Sequence, residues 1–147
     1  IPNNYMKKMR SIQIEIIEGQ LAKVDANQQI RIRHAKRYYK GLKSLSNKFL
    51  LPPFIEDGSH GYPSFILQVP NRELLEAYML SNGCDIMISY HRNCADLDCF
   101  QTYYRNCSNA RETANSVLYL PTYPNYREKD IERNIRIIKK FYTRCDE

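Results

Sequence analysis

A chain of 147 residues, 43% of them hydrophobic, can bury one ordinary core without disulfides or a metal. Its longest uncharged apolar runs, such as Phe65-Ile-Leu-Gln-Val69, fall far short of the roughly 20 residues that cross a bilayer, so no membrane span is expected. The formal charge of +6 raises nucleic acid as a partner, but acids interleave with bases through Arg127-Glu-Lys-Asp-Ile-Glu-Arg133 and no reader motif accompanies them, so no nucleic-acid partner is expected.

The start, Ile1-Pro-Asn-Asn-Tyr5, has neither an initiator Met nor the basic-then-apolar pattern of a secretion signal, and reads as a cut. From Met9 to about Leu45 there is no Pro, and Ile17, Leu21, Val24, Ile32, Ala35, Tyr39 and Leu42 recur at helical spacing. That predicts one long amphipathic helix with room for a bend. At about 1.5 Å per residue it would reach on the order of 50 Å, too far for a small domain to cover alone, so part of the stripe should face a partner.

Paired prolines and two glycines between Lys48 and Pro63 predict an irregular connection. Ser64 to Val69 reads as a strand stopped by Pro70; Asn71 then caps a helix to Ser81, with Gly83 past its end. Asp85 to Tyr90 reads as a half-buried strand, followed by a loop with short helical turns. Asn109 to Asn115 reads as helix, Val117 to Leu120 as strand, and Pro121 to Asn125 as a turn. A last helix has Ile131, Ile135, Ile138 and Phe141 or Tyr142 on one face, and Asn125 with Glu128 as a capping-box pair. The order predicts an α+β fold: a long N-terminal helix plus a small, about three-stranded sheet covered by helices.

Residue chemistry alone announces no reaction. His34, His60 and His91 lie far apart, and no phosphate loop, His-Glu-x-x-His or Gly-x-Ser-x-Gly occurs. His34, between charged Arg33 and Lys36, is expected to be solvated. Cys84, Cys94, Cys99, Cys107 and Cys145 are odd in number with no Cys-x-x-Cys pair, which reads as free thiols. Two sharper alternatives are a zinc site from His91, Cys94, Cys99 and Cys107, whose spacing is unlike that of zinc knuckles, and a nucleophilic Cys94 or Cys99 beside His91.

Three segments carry a family resemblance. Met9-Arg-Ser-Ile-Gln13 with Gln20-Leu-Ala-Lys-Val-Asp25 and Arg33-His-Ala-Lys-Arg-Tyr-Tyr39 comes first; Asn93-Cys-Ala-Asp-Leu-Asp-Cys-Phe100 with Asn106-Cys-Ser-Asn-Ala110 comes next; Leu120-Pro-Thr-Tyr-Pro124 before an amphipathic helix comes last. In this order they resemble the C-terminal small domain of DegT/DnrJ/StrS sugar aminotransferases. The resemblance implies a fold-type I enzyme that uses pyridoxal 5'-phosphate (PLP) to move an amino group from an amino-acid donor onto a nucleotide-linked keto-sugar, for surface polysaccharide or modified sugars. It implies a cytoplasmic homodimer, and places the Schiff-base lysine and the pyridinium carboxylate in a large domain upstream of Ile1, so that no catalytic residue and no metal ligand is expected within this chain and the chain alone should be inert. A related dehydratase would differ mainly in that absent half.

The implied organisation is a single small domain over 1–147: a cut inter-domain end at 1–8, the long helix at 9–45, a connection at 46–62 and an αβ sandwich at 63–147. If Met9 and Gln13 match the family's Met and Gln, Lys8 stands where Arg is usual and Met6 where an Asn approaches the partner subunit's PLP phosphate. Asn3 or Asn4 would then replace that Asn and Lys7 or Lys8 would supply charge; the alternative is a disordered end. Ile14, Glu15 and Ser108 also depart from the pattern. Tyr90, His91 and Asn93, after the second strand, are the substrate-side candidates, against an ordinary polar strand exit. A competing reading is a non-enzymatic module whose long helix forms a dimer seam; it would bury Ile17, Leu21, Val24 and Ile32, whereas a severed domain would leave an apolar patch.

Overall fold

A computed structural model describes residues 7–88 and 92–144. The chain runs α1 (Ser11–Leu21), α2 (Val24–Leu42), β1 (Ser64–Gln68), α3 (Arg72–Ser81), β2 (Met87–Ile88), α4 (Ser108–Ser116), β3 (Val117–Pro121) and α5 (Glu128–Arg144), with 3₁₀ turns at Lys43–Leu45, Cys94–Asp96 and Asp98–Tyr103. It is the expected α+β arrangement. The sheet order is β1-β3-β2, antiparallel throughout, with β3 in the centre.

Register decides what the sheet buries. Phe65 pairs with Leu120 and Leu67 with Leu118, and since alternate side chains share a face, all four point into the core. There they meet Ala35, Tyr38 and Leu42 of α2, Leu75 and Met79 of α3, and Ile131 and Ile138 of α5, all fully buried. Ile66, Tyr119 and Met87 fall on the opposite face, and Ile66 and Met87 are exposed.

Helices α2 and α5 run in the same direction. Arg37 pairs with Glu128 (2.6 Å) and Glu132 (3.3 Å), Tyr38 meets Asn134, and Gly41 lies against Ile135. Inside this seam Asn134 donates to the phenol oxygens of Tyr38 (3.1 Å) and Tyr126 (3.0 Å), which joins α2, α5 and the turn before α5 in one buried polar contact.

Four features differ from the sequence reading. The expected helix over 9–45 divides at Ala22–Lys23, where the Lys23 N–H bonds back three residues to the Gln20 carbonyl (3.0 Å) instead of four. The carbonyl that the Lys23 N–H passes over belongs to Gly19, a poor helix former. Asn71 precedes α3 and its carbonyl accepts from the Leu75 N–H (3.2 Å), but its side chain makes no cap bond. Helix α5 starts at Glu128, too late for Asn125 to cap it: the Arg127 carbonyl accepts from Asp130 and Ile131 instead, and Glu128 is spent on Arg37.

His34 is the fourth correction. It is buried, not solvated, because α2 turns it against the segment after β3, where its Nδ1 meets the Thr122 carbonyl at 3.2 Å. A carbonyl only accepts, so Nδ1 carries the proton. Burial lowers the His34 pKa, and the Thr122 bond and Glu128 offset that only in part.

Candidate functional site

Of the six sequence-predicted positions, Lys8 and Asn93 are among the described residues. Asn3, Asn4, Tyr90 and His91 lie outside the described residues. Lys8 is exposed in the segment that leads into α1, and Asn93 follows β2. The two line no common cleft among those described below.

Around Asn93 the chain builds a definite structure. Its Oδ1 accepts from the Ala95 N–H (3.3 Å), capping the Cys94–Asp96 turn, and its Nδ2 donates to Asp96 (3.0 Å). Asp96 also receives Arg111 Nε (2.9 Å) and Nη2 (2.5 Å), a bidentate pair that ties the loop to α4. The guanidinium holds the Asp96 carboxyl below the usual carboxylate range, with help from Asn93. Arg111 also reaches the Tyr104 hydroxyl (3.4 Å).

This clip leaves a cleft of about 560 Å³ between the loop, α4 and the outer sheet face. Its lining includes Arg92, Asn93, Cys94, Asn109, Thr113 and Tyr119. A cation, two amides, a hydroxyl, a phenol and a thiol suit a hydroxylated or anionic ligand. Of the predicted substrate-side residues, Asn93 lines this cleft, with one donor and one acceptor of its amide engaged within the loop and one of each left over. The Asp96–Arg111 clip was missed from the sequence; an acid and an arginine 15 positions apart give no periodic signal.

Both thiol alternatives need His91, which lies outside the described residues. Cys94 and Cys99 are exposed, Cys107 is partly buried, and Cys84 is buried with its pKa raised by desolvation. Among the described residues no group of three or more His, Cys, Asp or Glu gathers to hold a metal. The clefts beside Asn93, along β1, under Tyr123 and at the α1–α2 break are lined by no lysine that could hold PLP as a Schiff base.

Helix α1 is the largest unexplained surface. None of its residues is buried, and Ile12, Ile16 and Leu21 are each about 60% exposed (60%, 59% and 64%), with Ile14, Ile17 and the following Val24 exposed beside them. Among the described residues, no helix is long and apolar enough to cross a membrane.

Solved aminotransferases share this fold. A DegT DnrJ EryC1 StrS aminotransferase from Brucella abortus superposes with a TM-score of 0.77 at 23% identity, over 91% of this chain and 36% of that one. DesV from S. venezuelae, solved in complex with a ketimine intermediate, gives 0.76 at 20% identity over 86% and 34%. The sugar aminotransferase CalS13 from Micromonospora echinospora gives 0.73 at 18% identity over 82% and 32%. At these identities the likeness establishes the fold, and the chain spans about a third of the length of these structures. No curated protein matches the chain. The model of the DegT/DnrJ/EryC1/StrS aminotransferase family matches residues 3–139, and the chain belongs to that family.

Proposed function

We propose that this chain is the small domain of a PLP-dependent aminotransferase that acts on a nucleotide-linked keto-sugar, works in the cytoplasm as a homodimer, and is inert without its large domain. The observation that carries the reading is the family match over residues 3–139. Solved relatives described as sugar aminotransferases support the substrate class. The uncovered α1 supports a missing partner: of Ile17, Leu21, Val24 and Ile32 only Ile32 is buried within the single chain, which leaves the other three for a large domain or a second copy to cover.

In this reading the upstream domain supplies the lysine and carboxylate that PLP requires, and the cofactor supplies the electron sink for amino transfer. This chain supplies a rigid wall: the Asp96–Arg111 clip holds the loop after β2, and the cleft beside it presents Arg92, Asn93 and Asn109 to the substrate. The test is to express the chain together with the coding sequence upstream of Ile1 and record absorbance between about 330 and 430 nm before and after adding glutamate. A cofactor band that glutamate shifts is expected. A folded, PLP-supplied protein with no such band overturns the enzymatic reading and leaves the dimer module in its place.

A further inference from the structure

Strand β1 lies at the edge of the sheet, and its free edge is only partly used. The Leu50 N–H donates to the Gln68 carbonyl (3.0 Å) and the Gln68 N–H to the Leu50 carbonyl (3.2 Å). That bridge shows which β1 residues turn their backbone outward: Gln68 and, by the alternation of an antiparallel pair, Ile66 and Ser64. Two residues further along each segment, the same register would set Pro52 against Ile66. Pro52 has no N–H to give, so the ladder stops there. Among the described residues no backbone bond meets Ile66 on that side. The chain swings away and leaves a cleft of about 160 Å³, walled by Leu50, Pro52, Pro53 and Phe65 and closed by His60 and Tyr62.

A second observation concerns that closure. Tyr62 has φ of 44°, a left-handed backbone that a bulky side chain rarely takes. The surroundings hold it there. Thr122 Oγ1 donates to the Tyr62 carbonyl (2.7 Å), the Tyr62 hydroxyl bonds the Ile55 N–H (2.6 Å) and carbonyl (3.1 Å), and the ring stacks on Phe54. The Tyr62 N–H is thereby aimed at His60 Nδ1 (3.0 Å), with the two rings 4.2 Å apart. An N–H only donates, so Nδ1 accepts and the ring proton of neutral His60 sits on Nε2. No hydrogen bond among the described residues uses that Nε2–H.

We propose that this cleft is a binding site for a planar, single-ring heterocycle with a lactam edge, an N–H beside a C=O. A cavity on the order of 150 Å³ admits one benzene-sized ring. The ring would lie against Pro52 and Pro53, along the outer edge of β1. Its N–H donates to the Ile66 carbonyl and its C=O accepts from the Ile66 N–H, which completes the pair that Pro52 leaves open, with His60 Nε2–H as a further donor to the carbonyl. The proposal rests on this chain's own residues and stands or falls apart from the aminotransferase reading.

The probe is 2-pyridone, titrated into the protein and followed by amide chemical shifts. Saturable shifts are expected at Ile66, Ser64 and His60. N-methyl-2-pyridone, which lacks the donor, should bind about tenfold more weakly, and His60→Ala should weaken 2-pyridone about threefold to tenfold, the range set by a single hydrogen bond. Ser64→Leu, which fills the cleft from the strand without touching the β1–β3 ladder, should abolish binding and keeps the test decisive if His60→Ala disturbs Tyr62. Shifts that fail to saturate, equal binding of the N-methyl compound, or undiminished binding to Ser64→Leu would each overturn the proposal.

Discussion

Gly41→Ala tests whether α2 and α5 cross where a side chain cannot fit. A Cβ at Gly41 would lie 2.7 Å from Ile135 Cδ1, 2.9 Å from Cγ2 and 3.1 Å from Cγ1. Helix propensity favours alanine by about 1 kcal/mol. Overpacking a core costs about 1–3 kcal/mol, and Ile135 sits at the upper end, because a β-branched side chain in a helix keeps essentially one χ1 well and cannot swing Cγ1 and Cγ2 away together. The expected net loss is about 1–2 kcal/mol, read as a lower urea midpoint at unchanged m. Ile135→Val removes the nearest atom, so the double variant should lose about 0.5–1 kcal/mol less than the sum of the single variants. Gly19→Ala is the control: nothing lies within 4 Å of its Cβ, so it should only raise helix content. A Gly41→Ala protein whose midpoint rises would refute the close crossing.

Two further outcomes follow from buried polar groups. Asn134→Ala strands the Tyr38 and Tyr126 hydroxyls and should cost about 2–4 kcal/mol in urea unfolding, against about 1 kcal/mol for Tyr38→Phe, which leaves Asn134 bonded to Tyr126. The His34 pKa is lowered in the fold by burial, so the unfolded chain takes up the proton first; stability should be level above the ordinary histidine value of about 6.5 and fall as pH drops from there through the lowered value, and His34→Gln should flatten that slope between pH 7.5 and 5, about the window in question.

What could be read in advance divides by range of interaction. The strand Ser64–Gln68, helix α3 with Gly83 in the left-handed region beyond it, and the Ile131, Ile135, Ile138 face of α5 all follow from local periodicity and turn chemistry, and the structure shows them. The burial of His34 depends on Thr122, 88 positions away, and the Asn134 contact on Tyr38, 96 positions away. Neither distance leaves a trace in a window of a dozen residues. The division of the long helix is different: its slip is local, and Gly19, whose carbonyl Lys23 passes over, is a weak signal that a helix interior often tolerates. At the candidate site, Asn93 was legible as a polar group after a strand. The clip that orders its loop was not, because Asp96 and Arg111 meet only once α4 has docked.

Helix α1 connects the fold to the functional reading. Met9, Ile12 and Ile16 follow one another at three- and four-residue steps, and Ile14, Ile17 and Leu21 do the same, so the helix carries two apolar stripes instead of one. Glu15 and Glu18 separate the stripes on one side, Gln13 and Gln20 on the other. One docking body covers one stripe, so α1 reads as a helix clamped from two directions. Replacing Ile12 and Ile16 by Asp, or Ile17 and Leu21 by Asp, should leave the urea midpoint of this chain within about 0.5 kcal/mol of the parent, because neither pair is buried here. In the protein extended upstream, each pair should cost several kcal/mol, at about 1.5–3 kcal/mol for each buried aliphatic side chain. If only one pair matters there, α1 has a single partner and the second stripe faces solvent; if neither does, the helix is not an internal seam and the severed-domain reading loses its structural support.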